Sequence, residues 1–313
     1  MLGSEDRTQA RIRVKRERSS PGMPHDAILS DLQYTPYAGL RAGTSSRWRV
    51  VWRYSLRRVW ARRFTRVMLL LAWIPSAVLT GMLAFLYLGA LQSDAQLLQN
   101  VPLLRWFASL LDWQQWLVLV PLSQAVASTA IERDRHYGVL LFSVARSLTV
   151  KHYLLGRALG IGTWMLLLGG LPIVLPWAIA MQMNSSTDPI LMLSIPGRAL
   201  LYVTMVSASL VALAMAVSSY AKQRSSTLWL WSLLLFGPMM LARALTSFAD
   251  MPAWLQHCSL PGLWQLIQEG LFPSAAATIS STEIILAWGV IALISVFSLG
   301  WAHRCLQHPN ALA

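Results

Sequence analysis

"IERDRHYGVLLFSVARSLTVKHYLLGRALG", residues 131–160, sets two acidic residues, five basic residues and two His between long apolar stretches. Inside it lies "VLLF", far shorter than the roughly 20 apolar residues that a helix needs to cross the hydrocarbon core. The stretch therefore reads as a charged loop between two membrane spans, with a small hydrophobic plug in it. Glu132 to Tyr137 is expected to extend the preceding helix past the lipid, and Gly138 to permit a turn. "VLLFSVAR" is then a short helix with an apolar face, and Ser147 or Thr149 can cap the helix that follows. Water serves such an apolar face poorly. It asks for headgroup depth or for a groove on another protein.

Outward from this loop the chain is greasy. Of 313 residues, 55% are hydrophobic and 12% charged, and 15 are Trp, whereas a soluble domain has about 25% charged residues and Trp favours bilayer interfaces. Six uncharged runs approach spanning length, 67–91, 113–131, 158–183, 199–221, 225–242 and 284–302. The second is diluted by Gln114, Gln115 and Gln124, and the fifth is short, with Arg243 placed to snorkel. Lys and Arg then set the orientation. The segment before the first run is dense in Arg. The loop after it has Arg105, and the loop after the second has Arg133, Arg135, Arg146, Lys151 and Arg157. Arg198 follows the third, Lys222 and Arg224 the fourth, and the loop 246–283 has none. The alternation predicts six spans with both termini cytoplasmic.

The net charge of +13 would suit nucleic acid if it formed a soluble patch, but the basic residues crowd into residues 1–66 and two short loops, so no nucleic-acid partner is expected. Residues 1–46 read as a disordered basic cytoplasmic tail, either a solvated segment or one that binds anionic lipid or a partner. Residues 47–66 place Trp48, Trp52, Leu56, Val59 or Trp60, and Phe64 at helical spacing, beside Arg rows 49/53/57 and 58/62/66. That is the pattern of an amphipathic helix at the membrane interface. The permease domain is expected over 67–304 and a cytoplasmic tail over 305–313. The first span would serve as targeting signal, since the preceding segment has no apolar core.

In the outer loop, Leu263, Trp264, Leu266, Ile267 and Leu271 can form a short amphipathic helix between prolines, either an ordinary packed loop or one that dips into the outer leaflet. Gly156 and Gly160, and Ala208, Ala212 and Ala216, are small-residue stripes of the kind that let helices approach, within the chain or between copies. Cys258 and Cys305 fall on opposite sides of this topology, so neither a disulfide nor a metal site is expected.

Several chemistries lack their residues. None of the six His lies in mid-membrane, where haem would need them, and the 13 acidic residues sit in tails, loops or helix ends, not where a coupling ion would bind. "GIGTWMLLLGG" is Gly-rich but has no Lys, so no phosphate-cradling loop is recognisable. The chain is expected to be no enzyme and to bind no cofactor or metal.

Residues 131–160 resemble the loop signature of ABC-2-type permeases, the membrane subunits of ATP-binding cassette exporters. In that family an I-x-x-[DE]-R-x-x-G-x-L element follows the second span, and an arginine-rich turn and a Y-L-L-G-[KR] element lead into the third. Asp134, Arg135, Gly138 and Leu140 match the first element. Arg146, Leu148, Tyr153, Leu154, Leu155, Gly156 and Arg157 match the rest, with Ser147 where the family usually has Pro. The likeness is specific over these 30 residues and looser elsewhere. It implies an all-α fold of the type V exporter kind, with Leu141 and Phe142 in a coupling helix that docks on a separate ATPase subunit. ATP is then bound by that partner, and a second permease copy or paralogue completes the pathway. Two other classes stand beside it: a membrane scaffold or assembly factor that uses an ATPase without transport, and an ion-coupled carrier.

Overall fold

Apolar side chains cover much of the outside of this protein. In the computed structural model, which describes residues 47–92, 102–137, 149–183, 189–221, 223–248, 252–273 and 280–307, the described residues are helical. Among the described residues, five helices are long and apolar enough to cross a membrane. The first two helices in chain order are α1 (Arg47–Trp60) and α2 (Arg63–Gln92). Next comes a run of α3 (Leu103–Gln114), α4 (Val120–Leu122) and α5 (Ala130–His136), in which π-helical turns occupy Gln115–Leu119 and Ser123–Ala127. The chain continues through α6 (Val150–Gly170), α7 (Val174–Met183), α8 (Pro189–Tyr220) and α9 (Arg224–Phe248). It closes with α10 (Leu260–Leu271) and α11 (Ser281–Gln307). The five long apolar helices are α2, α6 with α7, α8, α9 and α11. By length and composition this is an all-α, multi-pass membrane protein.

The spans turn the ordinary pattern of a water-soluble helix outward. Along α2, Met68, Ala72, Leu79 and Leu83 are buried, while Leu70, Ile74, Val78 and Phe85 are exposed. In water such a stripe would drive aggregation; in hydrocarbon it costs nothing. α8 is the exception. Two thirds (67%) of its most apolar window is buried, against 17% for α9 and α11. It is the central post, packed chiefly on α11 and α6. Its buried Ser207, Ser209, Ala214 and Ser218 let neighbours come close.

Helix ends lie beyond the apolar runs, because hydrogen bonding continues where lipid stops. α2 begins at Arg63 and α6 at Val150, with the Thr149 hydroxyl accepting from the His152 amide at 3.4 Å as an N-cap. The polar residues that dilute the second run are turned into protein. Gln114 and Gln115 are buried, the Tyr202 hydroxyl donates to Gln115 Oε1, and Gln124 donates to the Ser232 hydroxyl at 2.7 Å. Intramembrane polar groups face the bundle interior for this reason.

Prolines inside the spans free carbonyls, and two of these are answered. Pro176 has no N–H for the carbonyl of Pro172, and the Ser76 hydroxyl of α2 donates to it instead. Pro196 likewise frees the carbonyl of Met192, which accepts from Trp177 Nε1 at 3.0 Å. In a medium without water, each such donor replaces a bond that a proline removes.

The short amphipathic helix expected in the outer loop exists as α10. Trp264 and Ile267 are fully buried, and Trp264 Nε1 donates to Ser209, well inside α8, at 3.1 Å. Arg198, in the third turn of α8, caps it by donating to the carbonyl of Leu271 at 2.9 Å.

Candidate functional site

The charged stretch that interrupts the spans folds around one carboxylate. Asp134 lies near the end of α5, with its side chain 1% exposed. Two elements bring cations to it. Arg157 of α6, 4% exposed, donates to Asp134 Oδ2 through Nε at 2.9 Å and also through Nη2. Arg58 of α1, 22% exposed, donates to Oδ1. The Tyr153 hydroxyl, one turn before Arg157 on the same face of α6, donates to Oδ2 at 2.6 Å. Tyr54, one turn before Arg58, lies beside both guanidinium groups, whose Cζ atoms are 5.8 Å (Arg58) and 5.5 Å (Arg157) from its ring centre. One anion thus ties three helices, and its oxygens are filled by charge-assisted bonds.

Glycine makes this junction possible. A Cβ at Gly156 would sit 2.7 Å from the Trp48 carbonyl oxygen, and one at Gly160 would sit 2.4 Å from Ser55 Cβ. The glycine stripe is therefore the bed of α1, a packing within the chain. The aromatic row of α1 is drawn into that contact. Trp52 Nε1 donates to Thr163 at 3.3 Å, Trp60 stacks on Trp164 at 4.9 Å, and Trp164 Nε1 donates to the Leu56 carbonyl at 3.0 Å.

The other side of α5 is pinned to α8. The Ser218 hydroxyl accepts from the amides of Ile131 and Glu132 at 3.0 and 3.1 Å, serving donors that a fresh helix start leaves unpaired. Arg135 donates to the Ser219 carbonyl at 2.7 Å, at the C-terminal end of α8, where a cation also complements the helix dipole. Arg62, in the turn between α1 and α2, donates to the Ala125 carbonyl at 3.0 Å. Burial, then the charges of Arg133, Arg58, Arg157 and Arg224, lower its pKa to about 10, which still leaves it cationic at neutral pH.

Of the residues expected to carry function, Asp134, Tyr153 and Arg157 come together in this cluster, and Gly156 lies beside it under α1. Arg135, a match to the loop signature, stays outside the cluster, and within the described residues its bond goes to α8. Gly138, Leu140, Leu141, Phe142, Arg146 and Leu148 lie outside the described residues. Arg58 was read from the sequence only as one of an Arg row at the membrane interface, and Tyr54 was not singled out. Their one signal is the spacing of four that sets them on one face of α1, and many Arg there share it. Among the described residues no group of His, Cys, Asp and Glu is placed to hold a metal ion.

The fold and this cluster define a class, an all-α multi-pass membrane protein with an ionic junction at the end of its charged interruption. Neither family models nor curated proteins yield a match to the chain.

Proposed function

We propose that this chain is the permease subunit of an ABC-2-type exporter in a bacterial inner membrane. The broken run Leu103–His136 is its sixth span, and both termini are cytoplasmic. It hydrolyses nothing itself. A separate ATPase subunit docks on the loop after α5, and two permease chains with two ATPases make the transporter. The observation that carries this reading is the Asp134 cluster. The two helices that flank the loop, α5 and α6, are joined there to α1 by buried ion pairs. A pull on the loop would move these three helices as a body, which is the kind of rigid shift that switches access between two sides. The absence of charge deep in the spans favours an amphipathic or lipidic cargo over a small ion.

The test is recovery of the ATPase with the permease. Replacing Leu141 and Phe142 together with Asp puts carboxylates where a partner groove would have to desolvate them, at several kcal/mol. Each 1.4 kcal/mol is about tenfold in affinity. The expected result is a correctly inserted chain that no longer co-purifies a partner ATPase. Undiminished recovery would overturn the docking role of the loop.

A further inference from the structure

Two clefts share a wall on α3. One, of about 340 Å³, is polar. Arg105, Ser109 and Asp112 of α3 face Gln265, Gln268 and Glu269 of α10 across it. The other, of about 460 Å³, is apolar, with Trp106, Ser109, Leu110 and Trp113 of α3 facing Ile74 and Val78 of α2. Ser109 lines both, so the two clefts lie on adjoining faces of one helix. The Gln268 side chain donates to the Ala108 carbonyl and ties α10 to α3 beside the polar cleft.

The charges in the polar cleft are not used on one another. Among the described residues the ion pairs are those of Asp134 with Arg58 and Arg157, and Arg105 makes none with Asp112 or Glu269. The Asp112 carboxylate accepts a hydrogen bond from the Trp116 side chain but, among the described residues, pairs with no cation. Asp112, Glu269 and Arg105 thus line one space without an ion pair among them, a lining that suits a ligand carrying both signs. Asp112 is half-buried, so water screens it incompletely.

From these neighbours we propose that the paired clefts form a binding site for an aminophospholipid. Its primary ammonium is held by Asp112 and Glu269, its phosphate by Arg105, and one acyl chain lies in the groove between α2 and α3. A primary ammonium donates hydrogen bonds to both carboxylates; a quaternary one has no N–H to donate. A head group with no cation would leave both carboxylates facing its phosphate. The apolar groove alone would accept any chain, so the choice of lipid rests with the polar cleft. This inference needs the chain to lie in a bilayer but needs no ATPase, so lipid retention and ATPase recovery fail independently.

The experiment exchanges lipid on the purified full-length chain in nanodiscs of equal parts phosphatidylethanolamine, phosphatidylcholine and phosphatidylglycerol. Lipid retained after transfer to detergent is then counted by native mass spectrometry. The wild-type chain should retain phosphatidylethanolamine over the other two by roughly tenfold, the scale of one lost charge-assisted bond. The preference should vanish in Asp112→Asn/Glu269→Gln, whereas Arg105→Gln, which removes the contact to a phosphate that all three lipids carry, should lower the retention of all three. Glu269→Gln alone, at an exposed position, should reduce it without loss of folding. Glycerophosphoethanolamine, the head group without chains, should not displace the bound lipid at equal concentration. Equal retention of the three lipids, an undiminished preference in the double variant, or full displacement by the free head group would each overturn the proposal.

Discussion

Removing one member of the Asp134 cluster strands a charge. Arg157 is nearly inaccessible to water, and Asp134→Asn would leave it without its anion. Breaking one side of a buried pair costs about 3–5 kcal/mol. Asp134→Asn should therefore lower stability by that order in chemical unfolding of the detergent-solubilised protein. The double variant Asp134→Asn/Arg157→Met should recover a large part of the loss, because no lone cation stays buried. Arg58→Gln should cost less than Asp134→Asn, since Arg58 is partly solvated and Arg157 and Tyr153 still hold the carboxylate. An Asp134→Asn chain as stable as the wild type would show that the cluster holds nothing together.

At the scale of elements, two contacts can be tested by what they exclude and what they replace. Gly160→Ala puts a methyl group into Ser55 of α1, an overpacking of about 1–3 kcal/mol. Gly162, on the same helix, has open space around its would-be Cβ, so Gly162→Ala should be neutral or slightly stabilising. The expected difference is faster tryptic cleavage at Arg57 and Arg58 in the first variant alone. Equal cleavage would mean that α1 does not rest on the glycine stripe. The Ser76 bond to the Pro172 carbonyl sets up a cycle. Ser76→Ala should destabilise by about 0.6 kcal/mol and by no more than about 1.7, the average and the upper end for hydrogen bonds inside membranes. In a Pro176→Ala background, which returns an N–H to that carbonyl, Ser76→Ala should cost much less. Equal costs in both backgrounds would separate the hydroxyl from the proline.

For the whole molecule, the charge alternation predicts where each face lies. Cys258 is exposed at the end of the short helical turn before α10, and Cys305 is half-buried near the end of α11. With the outer membrane permeabilised, an impermeant thiol reagent added to whole cells should label Cys258 and spare Cys305. The reverse pattern would invert the topology and put the charged loop outside, where no ATPase is found. The polar cleft between α3 and α10 would then change sides as well, but its lipid preference would remain measurable.

The sequence by itself determined the helices and their expected orientation, because a bilayer acts on each segment separately. About 20 apolar residues must pass as helix wherever they occur, and Arg in short loops biases each one to a side. The apolar core of α2 is thus visible at 67–91, and Gly156 and Gly160 announce a close approach without saying of what. The resemblance at 131–160 likewise picked out Asp134, Tyr153 and Arg157. What they do was decided by tertiary structure, and so was Arg58. Arg58 differs from Arg57 or Arg62 in no local property. It becomes a partner of Asp134 because α1 lies on α6 at the glycines, in a register that brings this guanidinium to the carboxylate. The same holds for Ser76, Ser218, Gln115 and Gln124. A polar residue in a span is stabilised by a partner, but which one it meets depends on contacts far apart along the chain, and only packing supplies them.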